Sequence, residues 1–400
     1  MGFWSLEFWG TLGVILMEEA FDTWSWGKNA DDYHLYFDAW WERDMESMVL
    51  RDRNSPAILL WSIGNEIPMR HTPQGAALSQ KLADKVRALD PAPAASTRAV
   101  TSAYPMPSAD AATDAFFAPL DVAGYNYAHA SVGRDHARVP SRVFVATETF
   151  PAQSVENYEA SHNASAPYFV GTFIWTAIDY IGESAIGANG HYPPSQLACG
   201  DYCAQPFPYH ISFCGDLDIV GELKPQARLR RVLWNASALE ISVHRAGAEV
   251  IGLWGYRDER QSWTWPGMPS GMNLTVRAYA ARGCVTLTVR GKPATSDGCV
   301  RAGPSAGYVA NFAVGYDEHQ PGELRASLHE REGAPVLASV ALQPAGAPVG
   351  LRLSADRAAL SASRDELSYV RAELVDAAGH RVDCGTYEGG GVGLAPDAAG

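Results

Sequence analysis

The stretch Ala57–Glu66, AILLWSIGNE, decides the fold that the sequence predicts. A short apolar run without alternation is typical of a parallel strand that is covered on both faces. Parallel α/β folds, barrels above all, place their functional groups at the carboxyl ends of such strands. Asn65 and Glu66 stand at that end and are therefore candidate site residues, although a strand that simply ends in a polar loop would look the same.

A second run, Arg142–Glu148 (RVFVATE), also ends in a glutamate. The two glutamates are 148 − 66 = 82 residues apart, which leaves room for two or three strand-helix units between them. Both carboxylates can therefore rise from one rim of a barrel. Such a pair suits glycoside hydrolysis, in which one carboxyl group is protonated to release the leaving oxygen and the other is ionised.

Six blocks occur in one order along the chain: Leu16–Asp22 (LMEEAFD), Val49–Asn54 (VLRDRN), Leu60–Glu66 (LWSIGNE), Gly124–Tyr127 (GYNY), Ala146–Phe150 (ATETF) and Phe173–Tyr180 (FIWTAIDY). In these blocks the chain resembles glycoside hydrolase family 2, the family of β-galactosidases and β-glucuronidases. The resemblance implies a TIM barrel with Glu66 as general acid/base on the fourth strand and Glu148 as nucleophile on the seventh.

The resemblance also implies four substrate-binding residues. Asn65 would hold the 2-hydroxyl group of the sugar, Tyr127 would hydrogen-bond the nucleophile, and Asp22 would contribute to the same pocket. Trp175 would stack on the apolar face of the pyranose, although the sequence alone allows a core tryptophan there. The implied function is a retaining β-glycosidase that acts by double displacement, with β-galactosides as the favoured substrates. Two alternatives stay open at this point: an inactive fragment of such an enzyme, and a carbohydrate-binding protein.

The predicted fold class is an incomplete α/β TIM barrel, strands 3 to 8, followed by all-β sandwich modules of Ig-like type. The predicted limits are residues 1–235 for the barrel, 240–343 for a β-sandwich and 349–400 for a partial Ig-like module. Short alternating runs such as Leu274–Tyr279 support the sandwich. Both ends of the chain look cut, and an open parallel barrel has unpaired edges. We therefore expect the 400-residue chain alone to hydrolyse little or no substrate.

Apolar residues at spacings of three and four predict a helix over Tyr33–Asn54, with Asp31 and Asp32 capping its start. A second helix is predicted over Pro73–Leu89. Further predicted elements are strands over Asp121–Tyr127 and Tyr168–Trp175 and helices over Gln153–His162 and Pro225–Trp234.

Composition excludes some classes of partner. The chain has 31 basic and 45 acidic residues and a formal net charge of −14, so it lacks the basic surface of a nucleic-acid binder. No apolar run is long enough to predict a spanning helix, which argues against a membrane partner. The segment Met1–Met17 lacks the features of a signal peptide, and both a secreted and a cytoplasmic location stay open. The expected partner is a carbohydrate substrate, with the oligomeric state unknown.

No cofactor is predicted. The spacing of Cys199, Cys203, His210 and Cys214 imitates a zinc knuckle, but a disulfide-stapled loop or free thiols are the favoured interpretation. Magnesium is possible but unsupported, because Ser55 stands where the resembled family often has a histidine. The six cysteines do not settle the compartment.

The substrate is the least determined part of the prediction. β-Glucuronidases of the resembled family carry an Asn-x-Lys pair for the sugar carboxylate, and the corresponding positions hold Glu222 and Lys224. An acid in place of the amide would repel a uronate. Galactosidases often place a histidine three residues beyond the nucleophile, where this chain has Pro151. Galactose is favoured because relatives with similar blocks are mostly β-galactosidases.

Overall fold

The computed structural model describes residues 13–91, 98–181, 186, 211–244, 254–257, 259–265, 271–317, 319–363 and 366–382. Backbone contacts divide the chain into two units, Met1–Trp175 and Thr176–Gly400. The domain limits that the sequence suggests, at 235, 240, 343 and 349, stay a prediction.

The first unit contains one parallel sheet of six strands that pair in chain order. The strands are β1 Leu16–Glu19, β2 Ile58–Asn65, β3 Ala99–Pro105, β4 Ala123–Asn126, β5 Phe144–Glu148 and β6 Phe169–Thr172. Sequential parallel pairing is the arrangement of strands in a TIM barrel, so this part of the predicted fold class is confirmed. Among the described residues, β1 and β6 form the two edges of the sheet.

Helices connect these strands: α1 His34–Asp52, α2 Pro73–Leu89, α3 Ala111–Phe117, α4 Val132–Arg138 and α5 Ser154–Ser161. The helix predicted over Pro73–Leu89 has those bounds. It begins there because Pro73 has no N–H to satisfy and the Thr72 side chain accepts the N–H of Gly75 at 3.0 Å. At the start of α1, Asp32 accepts the N–H of His34 at 3.0 Å.

The sheet has two differently covered faces. On the outer face the strands pack against the helices in one large core, which contains Trp61 of β2 and Phe37 of α1. On the inner face Leu60, Val122 and Val145 form a smaller apolar cluster. Burial of β2 on both faces was predicted from its unbroken apolar run and is confirmed, except that Leu59, near its amino end, is 55% exposed.

Three elements of this unit are not predicted from the sequence: β3, α3 and α4. β3 has the sequence AVTSAYP, whose polar centre is not typical of a buried strand. Thr101 and Ser102 are nevertheless fully buried. The Ser102 hydroxyl donates to the carbonyl of Gly64 at 2.7 Å. A buried hydroxyl with a hydrogen-bond partner is tolerated in a core, so polarity alone misidentifies this strand as a loop.

The second unit is mainly antiparallel. Its elements are β7 Tyr180–Ile181, β8 Ile211–Ser212, α6 Pro225–Leu233, β9 Glu240–His244, β10 Glu259–Arg260, β11 Asn273–Tyr279, β12 Cys284–Val289, β13 Lys292–Pro293, β14 Val300–Arg301, β15 Val309–Gly315, β16 Leu324–His329 and β17 Val336–Leu342. One sheet has the order β10-β9-β11-β15, and another has the order β13-β12-β16-β17 with β14 paired to β12. Residues of both sheets share one apolar core.

A separate antiparallel pair follows, β18 Gly350–Ala355 with β19 Val370–Val375. The Ig-like character expected of these modules stays a prediction. A disulfide joins Cys284 of β12 to Cys299. Within the described part of the chain, no helix combines the length and apolar character needed to cross a membrane.

Candidate active site

The carboxyl ends of β1, β2 and β4 share an unusual backbone feature. Phe21, Glu66 and Tyr127 have φ values of 55°, 48° and 55°, in the left-handed region that non-glycine residues rarely adopt. The Glu66 N–H donates to the carbonyl of Ala103 at 2.8 Å, and the Tyr127 N–H donates to that of Glu148 at 2.8 Å. Strained residues that are held by their surroundings cluster at functional sites, so this rim is the candidate active site.

Asn126 links several of the strands. Its side-chain nitrogen donates to Asn65 Oδ1 and to Glu66 Oε1, both at 3.0 Å. Its side-chain oxygen accepts a hydrogen bond from the Thr147 hydroxyl at 2.5 Å. Asn126 is fully buried, so it fixes the predicted acid/base residue from within the sheet. Asn126 was not predicted as a site residue, although its position at the end of β4, beside Tyr127, could have indicated it.

Glu148 lies at the end of β5 and accepts a hydrogen bond from the Tyr127 hydroxyl at 2.5 Å. This contact is the one that the resemblance implies for Tyr127. Burial is the main cause that raises the pKa of Glu148 to about 7, and repulsion by Glu66 and Glu19 adds to it. Hydrogen bonds from Tyr127 and Asn126 act in the opposite direction. The two predicted catalytic glutamates thus lie close enough to repel each other.

Asp22 and Asn65 contact each other at the same rim. Asp22 Oδ1 accepts hydrogen bonds from Asn65 Nδ2 at 3.0 Å and from Lys28 Nζ at 2.6 Å. Asn65 is therefore held on one side by Asp22 and on the other by Asn126. These contacts orient its amide group, whereas binding of a sugar hydroxyl by Asn65 or Asp22 stays a prediction.

Trp175 is half-buried and lies three residues beyond the end of β6. Its backbone N–H donates to the carbonyl of Thr149 at 3.1 Å. Because Thr149 directly follows Glu148, this bond places Trp175 at the rim that carries the glutamates. Its stacking on a sugar ring stays a prediction.

A third glutamate belongs to this rim and was not predicted. Glu19 is the last residue of β1, and its Oε2 accepts a hydrogen bond from the Ser62 hydroxyl at 2.6 Å. The residue as a whole is exposed, but its carboxyl group lies against the Ser62 hydroxyl. Desolvation of the carboxyl group is the main cause that raises the pKa of Glu19 to about 7, and repulsion by Asp22 and Glu66 contributes.

The structure leaves the metal expectations untested. Among the described residues there is no group of three or more His, Cys, Asp or Glu side chains that could hold a metal ion. Cys214 is buried with a free thiol. Cys199, Cys203 and His210, the other members of the spacing that imitates a zinc knuckle, lie outside the described residues.

Glu222 and Lys224 have partners within the second unit. Lys224 Nζ donates to Asp179 Oδ1 at 2.8 Å. Glu222 forms ion pairs with Arg371 and with Arg381. The charge of Glu222 is therefore balanced, which weakens the sequence argument that this acid repels a uronate.

Comparison with known proteins gives consistent results. The family model "Glycosyl hydrolases family 2, TIM barrel domain" matches residues 7–116. The curated β-galactosidase BoGH2A of Bacteroides ovatus is 27% identical in an alignment 445 residues long, and this alignment covers 92% of this chain and 46% of that protein. A glycosyl hydrolase family 2 member from Bacteroides cellulosilyticus is 33% identical in a solved structure, with a TM-score of 0.81, covering 94% of this chain and 46% of that chain.

A second solved structure, from Bacteroides cellulosilyticus DSM 14838, is 32% identical with a TM-score of 0.75 and covers 94% of this chain and 44% of that chain. A β-glycosidase from Bacteroides vulgatus, at 22% identity and a TM-score of 0.66, supports the fold alone. The chain spans a little under half the length of these relatives. The family model, the relatives and the six sequence blocks agree, and together they support a member of glycoside hydrolase family 2.

Proposed function

We propose that this chain carries the catalytic machinery of a retaining β-glycosidase, with Glu148 as nucleophile and Glu66 as general acid/base. The observation that supports this most is geometric: Glu66 directly follows β2, Glu148 ends β5, and the adjacent residues Asn126 and Tyr127 donate hydrogen bonds to Glu66 and Glu148, respectively. Two carboxyl groups beside one bond are the usual requirement for glycoside hydrolysis. The similarity to family 2 is consistent with this chemistry.

The proposed reaction has two steps. First, a Glu148 oxygen attacks the anomeric carbon, the glycosidic C–O bond breaks, and the Glu66 carboxyl proton passes to the leaving oxygen. A covalent glycosyl ester on Glu148 results. In the second step Glu66, now ionised, takes a proton from water while the water oxygen attacks the anomeric carbon. The ester bond breaks, Glu148 leaves as a carboxylate, and the sugar keeps its β configuration.

The environment of Glu148 bears on this assignment. A nucleophile must be ionised, and a pKa of about 7 leaves about half of the Glu148 side chains ionised at neutral pH. The hydroxyl of Tyr127 and the amide of Asn126 favour the ionised form. By its pKa alone Glu148 could also serve as a proton donor, so the division of roles rests on the resemblance and needs a chemical test.

Galactosides are the proposed substrates. The support is the similarity to BoGH2A, which is a β-galactosidase. At 27% identity this similarity concerns the class of substrate, and the linkage and the aglycone are separate questions.

Rescue by azide tests the roles. The chain is assayed with 2,4-dinitrophenyl β-galactoside, whose leaving group needs no proton, so even slow turnover is measurable. In Glu148→Gly, azide occupies the space of the nucleophile and should give α-galactosyl azide. In Glu66→Ala, azide attacks the covalent intermediate and should give β-galactosyl azide. The opposite pair of products would reverse the two roles.

The control is Glu18→Gln, which removes a carboxylate from the outer face of β1, where Glu18 pairs with Arg51. This variant should turn over at the wild-type rate. A wild-type rate equal to that of the double variant Glu66→Gln/Glu148→Gln would contradict the proposed function.

A further inference from the structure

The pairing of β2 with β3 is irregular just before the candidate acid/base residue. Between two regular pairs of this ladder, β2 has the two residues Ile63 and Gly64, whereas β3 has only Ser102. One extra residue in one strand of a pair is a β-bulge, and bulges are common beside active sites because they change the direction of a side chain. The bulge of β2, Ile63–Gly64, lies directly before Asn65 and Glu66.

The bulge accounts for the way in which two adjacent side chains meet one partner. Asn65 and Glu66 are neighbours in the chain, and in a regular strand neighbouring side chains point to opposite faces. The side-chain nitrogen of Asn126 nevertheless donates to both of them, at 3.0 Å in each case. The extra residue in β2 and the left-handed backbone of Glu66, with a φ of 48°, interrupt the alternation at this point.

Both carbonyl groups of the bulge accept hydrogen bonds from buried side chains. The Trp24 indole N–H donates to the carbonyl of Ile63 at 3.0 Å, and the Ser102 hydroxyl donates to that of Gly64 at 2.7 Å. Trp24 and Ser102 are fully buried. A buried hydrogen bond is costly to lose, because water cannot replace the missing partner. These two bonds therefore hold the bulge in one conformation.

The Trp24 ring is itself fixed by its neighbours. It stacks on Phe116, with 5.7 Å between the ring centroids, and on Phe37, with 6.4 Å. A Cβ atom at position 64 would lie 2.8 Å from Trp24 Nε1 and 2.7 Å from Ile67 Cδ1. Glycine is therefore needed at Gly64, because it allows the backbone of the bulge to approach the indole closely.

We propose that Trp24 and Ser102 are positioning residues for Glu66: their hydrogen bonds hold the bulge of β2, and the bulge sets the direction of the Glu66 carboxyl group at the rim. The proposal rests on the proposed function for the role of Glu66 as general acid/base. A residue in a rarely populated backbone conformation keeps it only when its surroundings enforce it. Trp24 and Ser102 are buried and thus act on the reaction through Glu66.

The test separates positioning of the acid from a general loss of stability. Ser102→Ala is assayed on phenyl β-galactoside, whose leaving group must be protonated, and on 2,4-dinitrophenyl β-galactoside, whose leaving group needs no proton. A displaced Glu66 should lower kcat/KM for the phenyl glycoside about 10- to 100-fold and that for the dinitrophenyl glycoside less than about threefold. The ratio of the two kcat/KM values therefore reports the position of the acid.

Ser79→Ala is the matched control for Ser102→Ala. Ser79 is also fully buried, and its hydroxyl donates to the carbonyl of Phe116 at 2.9 Å, between α2 and α3. The control should lower the melting temperature about as much as Ser102→Ala does, since both variants leave a buried carbonyl without its hydroxyl partner. It should keep the wild-type ratio of the two kcat/KM values.

Trp24→Phe tests the other donor and should change the ratio in the same direction as Ser102→Ala. Its control is Trp61→Phe, because Trp61 is also fully buried and its indole N–H donates to Asp90 at 2.9 Å. If Ser102→Ala does not fold, Ser102→Cys serves instead. Its thiol is a weaker donor, so the ratio should change in the same direction and by a smaller factor.

Two kinetic results would overturn the inference. One is that Ser102→Ala and Trp24→Phe lower kcat/KM for both substrates by the same factor, which would indicate a purely structural role. The other is that Ser79→Ala changes the ratio as much as Ser102→Ala does.

Crystal structures separate this inference from the proposed function. In Ser102→Ala the distance between Glu66 Oε1 and Asn126 Nδ2, 3.0 Å in the wild type, should lengthen by about 1 Å, a displacement large enough for such a loss of rate. In Ser79→Ala it should not change. This shift in a chain that hydrolyses neither galactoside would contradict only the proposed function. A wild-type position of Glu66 in a Ser102→Ala chain that hydrolyses both galactosides with the wild-type ratio would contradict only the present inference.

Discussion

The contact between Tyr127 and Glu148 allows a quantitative prediction. The Tyr127 hydroxyl donates to Glu148 Oε2 at 2.5 Å and lowers the pKa of this carboxyl group against the larger effect of burial. In Tyr127→Phe the ring remains and the donor is lost. The pKa of Glu148 should therefore rise above its present value of about 7.

The size of the effect follows from the energy of such a bond. A hydrogen bond to a charged group contributes about 1.5 to 3 kcal/mol, and about 1.36 kcal/mol corresponds to one pKa unit. The pKa of Glu148 should thus rise by about 1 to 2 units. At pH 7 the ionised fraction then falls from about one half to about one tenth or one hundredth, so kcat/KM should fall roughly 5- to 50-fold.

The assay is the pH dependence of kcat/KM for an aryl β-galactoside between pH 4 and pH 10. The acid limb reports the ionisation of the nucleophile in the free enzyme, and it should move to higher pH in Tyr127→Phe. Much of the lost activity should return at alkaline pH. Tyr125→Phe is the control, because the Tyr125 hydroxyl donates to Asp135 at 2.9 Å within the outer core.

Tyr125→Phe should lower the melting temperature and leave the acid limb in place. The reasoning fails if Tyr127→Phe lowers kcat/KM by the same factor at every pH, since that would indicate lost positioning rather than a changed ionisation. It also fails if Tyr125→Phe moves the limb as far as Tyr127→Phe does.

Three further outcomes are expected. Because burial raises the pKa of Glu148 from its ordinary value of 4.5 to about 7, the folded chain binds more protons than the unfolded chain between those pH values, and its stability falls as pH rises through that window. Glu148→Gln should therefore be more stable than wild type at pH 8, by at most about 3 kcal/mol, and equal to it at pH 4, by denaturant unfolding. Replacing Cys284 and Cys299 with Ser should cost about 3 kcal/mol, because the disulfide closes a loop with a sequence separation of 15. Asn126→Ala should lower kcat/KM about a hundredfold, because Glu66 loses the amide that positions it.

For each of these three predictions, one result would contradict the reasoning. A constant stability difference between wild type and Glu148→Gln from pH 4 to pH 8 would show that the Glu148 carboxyl group does not titrate differently in the fold. A reducing agent that leaves the wild-type melt unchanged would show that the bond between Cys284 and Cys299 does not stabilise the chain. A wild-type value of kcat/KM in Asn126→Ala would show that Asn126 does not position Glu66 for catalysis.

Much of the barrel can be predicted from the sequence, since its strands and helices carry a local signal. The unbroken apolar run before Asn65 predicts a covered parallel strand, and spacing together with Pro73 predicts α2. β3 shows the limit of this approach. Its centre is Thr and Ser, and only the neighbouring strands, through bonds such as that from Ser102 to Gly64, make these hydroxyls acceptable in a core.

Some residues of the candidate site could also be predicted from the sequence, and others could not. Glu66 and Glu148 were predicted because each ends a recognisable strand, and their repulsion in the structure is consistent with a common rim. Asn126 is different because it contacts Asn65 and Glu66, which precede it by 61 and 60 positions in the chain. No local sequence pattern indicates such a long-range contact.

The pair Glu18–Glu19 shows most clearly what each level determines. The sequence determines that two carboxylates stand side by side at the end of a strand, and period-two alternation requires that they face opposite ways. Only the pairing of β1 with β2 decides which of them faces the helices and which faces the site. The physical reason is that a shift of one residue in register exchanges the two faces of a strand, so the tertiary structure assigns Arg51 as partner to Glu18 and leaves Glu19 at the rim with Glu66.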